Sequence, residues 1–165
     1  MFGDIWERMP TQYDSEADTL SHIKRVNELL LTCCQSLLER AKRHDDSKLV
    51  EPEKSVFDIM TPKLRGLTYG SEEYKKSLAE LGSALAHHYK NNSHHPEHYE
   101  SGIDGMDLFD LLEMFCDWCA ATERHSDGGI LRSIVQNKER FGLSNQLQSI
   151  LTNTAKGFYL IGRKP

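Results

Sequence analysis

No apolar run in these 165 residues approaches the roughly 20 needed to cross a bilayer as a helix, so no membrane span is expected. Excess positive charge is also missing. Twenty Lys and Arg stand against 25 Asp and Glu, a formal charge of -5. Non-specific nucleic-acid binding needs a basic face, and so does adsorption to anionic lipid; neither is expected. Cysteine is scarce, with Cys33 and Cys34 adjacent and Cys116 and Cys119 one helical turn apart. "CDWC" has the spacing of half a zinc site, but an adjacent pair is a poor other half. All four cysteines are therefore expected as small reduced core residues, with no disulfide framework. No segment alternates apolar and polar residues as a half-buried strand would. There is no internal repeat, low-complexity tract or linker. No Walker-type phosphate loop is present, which argues against a nucleotide-driven motor or a kinase. The opening "MFGDIWERMPTQYDSEAD" carries acids and lacks the apolar core of a signal peptide, so the expected location is the cytoplasm.

What remains is helical periodicity. The apolar and charged fractions, 38% and 27%, are those of a soluble globular chain, and the length suits one domain. An N-terminal extension, 1–17, should lead into an all-helical domain, 18–160. A helix from Asp18 to Arg43 carries Ile23, Val26, Leu30, Cys33, Leu37 and Ala41 on one face. Pro52 opens a short helix, "EKSVFDIM", expected to stop before Thr61-Pro62, with "TPKLRGLTYG" as a loop. Ser71 caps the next helix, with Glu72 and Glu73 in its first turn and a stripe of Tyr74, Leu78, Leu81 and Leu85 that leads to His88. After the polar loop "NNSHHPEHYESGIDGM", Asp107 starts "LFDLLEMFCDWCAATERH", which Asp127-Gly128-Gly129 ends. Helices Ile130–Phe141 and Asn145–Phe158 complete an all-α fold of five to seven helices.

Eight histidines are present, five of them between His87 and His98. Neutral imidazole is the commonest nitrogen ligand of transition metals, whereas crowded imidazolium ions repel, so such a cluster calls for a metal or an acid. His98 reads as a solvated loop residue. His88 extends an apolar stripe into the core, where a lone histidine is either a hydrogen-bonded core residue or a ligand. His87, about 100° further round the helix, is the weaker candidate. His94 and His95 precede Pro96 in a loop able to turn at least one imidazole inward. On the later helix, Asp110, Glu113 and Asp117 share one face. Asp110 has a structural explanation as the capping-box partner of Asp107. Asp117, mid-helix among Phe115, Cys116, Trp118 and Cys119, lies on a narrow solvent strip or faces a cation. With "HDDSK" at 44–48, the chain assembles a nitrogen and oxygen donor set of the kind that holds one or two ions of Mn, Fe or Zn.

These residues resemble the HD superfamily of all-α, metal-dependent phosphohydrolases, named for a His-Asp dipeptide often followed by x-Gly-Lys. Here "HDDSK" corresponds, with Ser47 in place of glycine. The chain looks still more like an uncharacterised family of short phage and bacterial proteins in the stretches "HDDSK", "HHYKNNSHHPEHY" and "DLLEMFCDW", over about residues 19 to 158. The resemblance implies an HD-like helical bundle with His44, Asp45, His88, one or both of His94 and His95, and Asp117 as metal ligands, Asp45 able to bridge two ions. It implies Lys48 as a phosphate contact. It also suggests His22 as an earlier ligand. Yet no glycine or proline separates His22 from His44, and 22 helical residues would hold them roughly 33 Å apart. Either the helix breaks near Thr32–Gln35 or His22 is not a ligand.

The activity this implies is hydrolysis of a small phosphate ester or anhydride, such as a nucleotide. The metal would acidify water, and Glu113 or a nearby histidine would pass a proton to the leaving group. Arg124, Arg132, Lys138 and Arg140 are further phosphate contacts or simply solvated cations. Two other readings stay open: a di-iron oxygenase, and a non-catalytic helical binding protein with a structural metal or none.

Overall fold

A computed structural model describes residues 13–67, 71–124 and 129–162. The chain divides into two compact units, Met1–Leu38 and Glu39–Pro165. Among the described residues there are seven α-helices and three short 3-10 turns, and no strand, so the fold is all-α as the periodicity implies. None of the described helices is both long and apolar enough to cross a membrane.

Helix α1, Glu16–Arg43, starts with acids Glu16 and Asp18 and ends with Arg40, Lys42 and Arg43, each set opposing the helix dipole at its end. It is unbroken through Thr32–Gln35, and His22 belongs to the first unit. None of its residues is buried. The second unit begins with its last turn. Asp45 there takes the left-handed conformation (φ 61°, ψ 14°), which short polar side chains tolerate best after glycine. This redirects the chain into a 3-10 turn at Asp46–Leu49.

Two boundaries differ from the sequence reading. Helix α2, Glu53–Arg65, runs through Thr61-Pro62 for a further turn, so "TPKLRGLTYG" is helical in its first half. So near the helix end, proline forfeits only one backbone bond, and Leu64 beyond it is half-buried. The expected helix from Ser71 to His88 is two: α3, Glu72–Ala79, and α4, Gly82–Asn91. Gly82 sits at φ 50°, a region that costs other residues about 1–2 kcal/mol, and breaks the helix there. The inward stripe of α4 is Leu81, Ala84 and His88, all nearly inaccessible.

Helix α5, Leu108–Glu123, opens with a full capping box: the Asp107 carboxylate accepts from Phe109 and Asp110 N–H, and that of Asp110 accepts from Asp107 N–H. Helix α6, Ile130–Phe141, ends at Gly142 in the left-handed region (φ 68°) and leads to α7, Asn145–Gly162. Met114, Phe115, Trp118 and Cys119 of α5 pack against Ile130 and Ile134 of α6, Leu143, and Leu151 and Ala155 of α7. Of the four cysteines expected in a core, only Cys119 is there. Cys33 and Cys34 lie on α1, where nothing is buried, and Cys116 is exposed. Residues 125–127 of the expected α5 end lie outside the described set.

Candidate metal centre

Three elements of the second unit deliver side chains to one point. The end of α1 brings His44 and Asp45, α4 with its following loop brings His88, His94 and His95, and α5 brings Glu113 and Asp117. Asp45, His88, His94 and His95 each offer a donor atom within 4.8 Å of all the others. Asp45 Oδ1 lies 3.4 Å from His88 Nε2 and 3.5 Å from His94 Nε2, and His88 Nε2 lies 2.9 Å from His95 Nε2. Metal–ligand bonds of about 2.0–2.1 Å put tetrahedral donors about 3.3–3.4 Å apart and octahedral neighbours about 2.9 Å apart, so these spacings suit a small divalent ion.

Two of those atoms also need one. Asp45 Oδ1 and His94 Nε2 are buried and have no hydrogen-bond partner. Leaving a buried polar atom unpaired costs about 1–3 kcal/mol, more if charged. Glu113 Oε1 lies 3.1 Å from His94 Nδ1, and because a carboxylate only accepts, that nitrogen carries the hydrogen. In a neutral His94 the lone pair of Nε2 then points at the lone pairs of Asp45 Oδ1, an arrangement that a bound cation relieves.

The far nitrogens are held in the manner of metal-bound imidazoles, whose other N–H usually meets a carboxylate. His88 Nδ1 donates to Glu53 Oε2 at 2.9 Å, and Glu53, fully buried, also meets His87 Nδ1 at 2.7 Å and Ser47 Oγ at 3.0 Å. Asn92 Nδ2 donates to Ser47 Oγ at 2.8 Å and so closes the network. On the other side Glu113 Oε1 takes both His94 Nδ1 and His44 Nδ1, the latter at 2.9 Å. Its Oε2 takes Arg40 at 2.9 Å. His44 Nε2 then faces Asp45 Oδ2 at 3.6 Å and Asp117 Oδ1 at 3.8 Å, a second, smaller donor set.

The electrostatics follow from this crowding. Asp117 and Glu113 on either side push the His44 imidazole up to about 10. Burial pulls His88 below its ordinary value, helped by the Lys48 charge, and brings His95 down to about 3, with His94 and His88 adding to the effect. Burial alone would raise Glu113, but hydrogen bonds from His44, His94 and Arg40 outweigh it and hold the carboxyl well below its usual range. Asp45 and Asp117 are likewise low despite burial, through Lys48 and His44 respectively.

A cleft of about 610 Å³ opens beside the donors, with Asp45, His88, His95 and Asp117 in its wall. Lys48, Arg124 and Arg140 bring positive charge to it, and Phe57, Trp118 and Phe141 bring aromatic surface. Lys48 Nζ binds Asp45 Oδ2 at 2.6 Å and lies 5.2 Å from the centre of the Phe57 ring. Arg140 binds Glu97 at 2.7 Å and stacks over Phe141. Lys138 turns away to Asn145 and Gln148.

All six expected ligands, His44, Asp45, His88, His94, His95 and Asp117, thus meet, and both members of the 94–95 pair turn inward. Glu113 stands behind two imidazoles and is not part of the cleft wall. Asp110 serves the capping box and also takes Arg40 at 2.8 Å, Ser93 at 2.6 Å and Tyr99 at 2.6 Å. His98 is exposed and bonds the Tyr89 carbonyl. The sequence reading missed Glu53 and Arg40. An acid in a helix's first turn and a base in another's last turn are both accounted for by the dipole, and nothing in the spacing betrays the partners they meet.

The chain belongs to a family of unknown function (DUF5662), whose model matches residues 11–157. No curated protein and no solved structure matches it.

Proposed function

We propose that this chain is a metal-dependent phosphohydrolase of the HD type, acting on a small phosphate ester or anhydride such as a nucleotide. The observation that carries the metal is the pair of buried, unpartnered atoms, Asp45 Oδ1 and His94 Nε2, amid converging imidazoles. A set of three nitrogens and one oxygen suits Mn, Fe or Zn. When bound there, such an ion supplies Lewis acidity to a phosphoryl group and to water.

The residues around it have separable tasks. Glu53 and Glu113 hold the Nδ1 hydrogens of His88 and His94, which keeps the Nε2 of each available. Lys48 and Arg124 in the cleft wall offer charge to a phosphate, while Phe57, Trp118 and Phe141 give it aromatic surface that suits a flat apolar group. Lys48 also occupies Asp45 Oδ2. A second ion between His44, Asp45 and Asp117 would require that ammonium to move onto the substrate. His44, charged at neutral pH between two acids and 32% exposed at its side chain, is a proton donor beside Asp45, although it is not part of the cleft wall.

One observation favours a structural ion instead: four protein donors fill a tetrahedral shell, as in closed structural sites. The experiment separates the two. Protein purified without added metal is assayed for Mn, Fe and Zn beside an Asp45→Ala, His94→Ala variant. Both are then tested on p-nitrophenyl phosphate and a panel of nucleotides, with oxygen uptake measured if iron is found. Near-stoichiometric metal that the variant loses, together with metal-dependent turnover, supports the hydrolase. Metal that is needed for folding but supports no turnover supports the structural ion. Negligible metal in both proteins, even after soaking in divalent ions, overturns the centre.

A further inference from the structure

The cleft beside the donor set carries more positive charge than one phosphate needs. Its volume, about 610 Å³, is in the range of sites that enclose a whole small molecule. The chain bears a formal charge of -5, yet four cations, Lys48, Arg65, Arg124 and Arg140, line this wall against two carboxylates, Asp45 and Asp117. Both carboxylates belong to the donor sets, and Asp45 also holds Lys48 at 2.6 Å. Arg140 is held by Glu97 at 2.7 Å. Arg65 and Arg124 are exposed and meet no acid among the described residues.

Helix geometry says where these two stand. On α5, Asp117, Ala121 and Arg124 line the cleft at steps of four and three, which is one face of the helix. At about 1.5 Å per residue, Arg124 is about 10 Å along that face from Asp117. On α2, Phe57, Thr61 and Arg65 line the cleft at steps of four. Phe57 is at the donor end, its ring centre 5.2 Å from Lys48 Nζ, and Arg65 is about 12 Å further along. Each of the two helices thus runs from the donor set to an arginine about two turns away.

We propose that Arg65 and Arg124 form a second anion subsite, which selects a ligand carrying a chain of phosphates, one at the ion and another at the arginines. This deepens the hydrolase reading and rests on the same cleft. Lys48, bonded to Asp45, is the cation beside the ion. A phosphate monoester held there has no second charge for the two guanidiniums, whereas a polyphosphate chain extends along the wall towards them. Guanidinium forks take phosphate oxygens in pairs, which suits the terminal phosphate of such a chain. The chemistry recognised is the polyphosphate chain, whether free or attached to a nucleoside.

Calorimetric titration of the full chain, with its bound metal, with inorganic phosphate, inorganic tripolyphosphate and ATP tests the subsite. Tripolyphosphate chelates metal ions by itself, so the deciding comparison is between variants. Replacing both arginines, Arg65→Gln with Arg124→Gln, should weaken tripolyphosphate about tenfold more than it weakens phosphate, the worth of a charge-assisted hydrogen bond. Circular dichroism and metal content should be unchanged, since both side chains are exposed. Lys138→Gln, which removes a cation outside the cleft wall, should alter neither affinity. Given the selective loss, ATP binding tighter than tripolyphosphate supports the subsite with a nucleotide as ligand, and ATP binding no tighter supports it with the free chain. No binding of tripolyphosphate, or a double variant that weakens both anions equally or neither, overturns the subsite and leaves the hydrolase standing. Selective loss in a protein that turns over no phosphate substrate would keep the subsite and overturn the hydrolase.

Discussion

Replacing Glu53 by glutamine keeps the side chain's size and removes its charge. The carboxylate is fully buried and accepts from His88 Nδ1 at 2.9 Å, from His87 Nδ1 at 2.7 Å and from Ser47 Oγ at 3.0 Å. An amide can accept at one end only; the other end presents N–H to a donor. If that end faces His88, the imidazole must give up the bond or move its hydrogen to Nε2, the atom meant for the metal. Loss of such a carboxylate partner typically weakens metal binding 10- to 100-fold, about 1.4–2.8 kcal/mol. The fold should lose about 1–3 kcal/mol for the unmatched buried donor. Competition with a calibrated chelator gives the first quantity, and denaturant unfolding of chelated protein gives the second. Glu53→Asp should weaken binding too, because the shorter acid cannot reach both imidazoles. Metal affinity within threefold of wild type in Glu53→Gln, with unfolding altered or not, would refute the assignment of Glu53 to His88's orientation.

Three further outcomes are expected. In chelator, burial keeps His88 and His95 below the ordinary 6.5, His95 at about 3, so the unfolded chain binds more protons once pH falls below about 6.5 and stability drops with acid. His44 works the other way: raised to about 10 by Asp117 and Glu113, its contribution is complete below pH 6.5 and is lost as pH rises through 10. The melting temperature of chelated protein should therefore be domed against pH, and a flat profile would contradict the cluster's charge states. Arg40→Ala removes the guanidinium that Glu113 and Asp110 share, at 2.9 and 2.8 Å, and should cost about 2–4 kcal/mol in urea unfolding. A loss under 0.5 kcal/mol would show that Arg40 is a spectator. Gly142→Ala places a Cβ in open space but at φ 68°, so it should lower stability by about 1 kcal/mol through backbone strain alone, with metal content unchanged.

How far the sequence could be read depended on how local each cause was. Helices α1, α5 and α6 were legible because period and caps coincide: Asp107 with Asp110 begins α5, and Phe141-Gly142 ends α6. The break at Gly82 was not legible, since the period through Leu78, Leu81 and Leu85 continues across it and a single glycine in a helix is ordinarily tolerated. Pro62 misled in the opposite sense. Its penalty is one bond, and α2 outweighs it by carrying Leu64 into contact.

The same logic divides the candidate site. His44, Asp45, His88, His94, His95 and Asp117 stood out because each lacks a local explanation where it sits, so a shared distant one was the economical account. Glu53 and Arg40 each had a local explanation in the helix dipole, and Asp110 had one in the capping box. For Asp110 the local account holds, yet it is incomplete, since that carboxylate also anchors Arg40, Ser93 and Tyr99. A residue satisfied locally can therefore still be half of a tertiary network, and sequence spacing cannot tell the two apart because the helix-end geometry is identical. Burial tells them apart. Asp110 and Glu53 are 2% and 0% exposed where a helix-end acid is ordinarily solvated, and charges so deep persist only with partners. Those partners, Arg40 for the one and the His87–His88 pair for the other, connect through Glu113 and His88 to the same donor set. The acids that looked most ordinary in the sequence are thus the ones that hold the ligands in place.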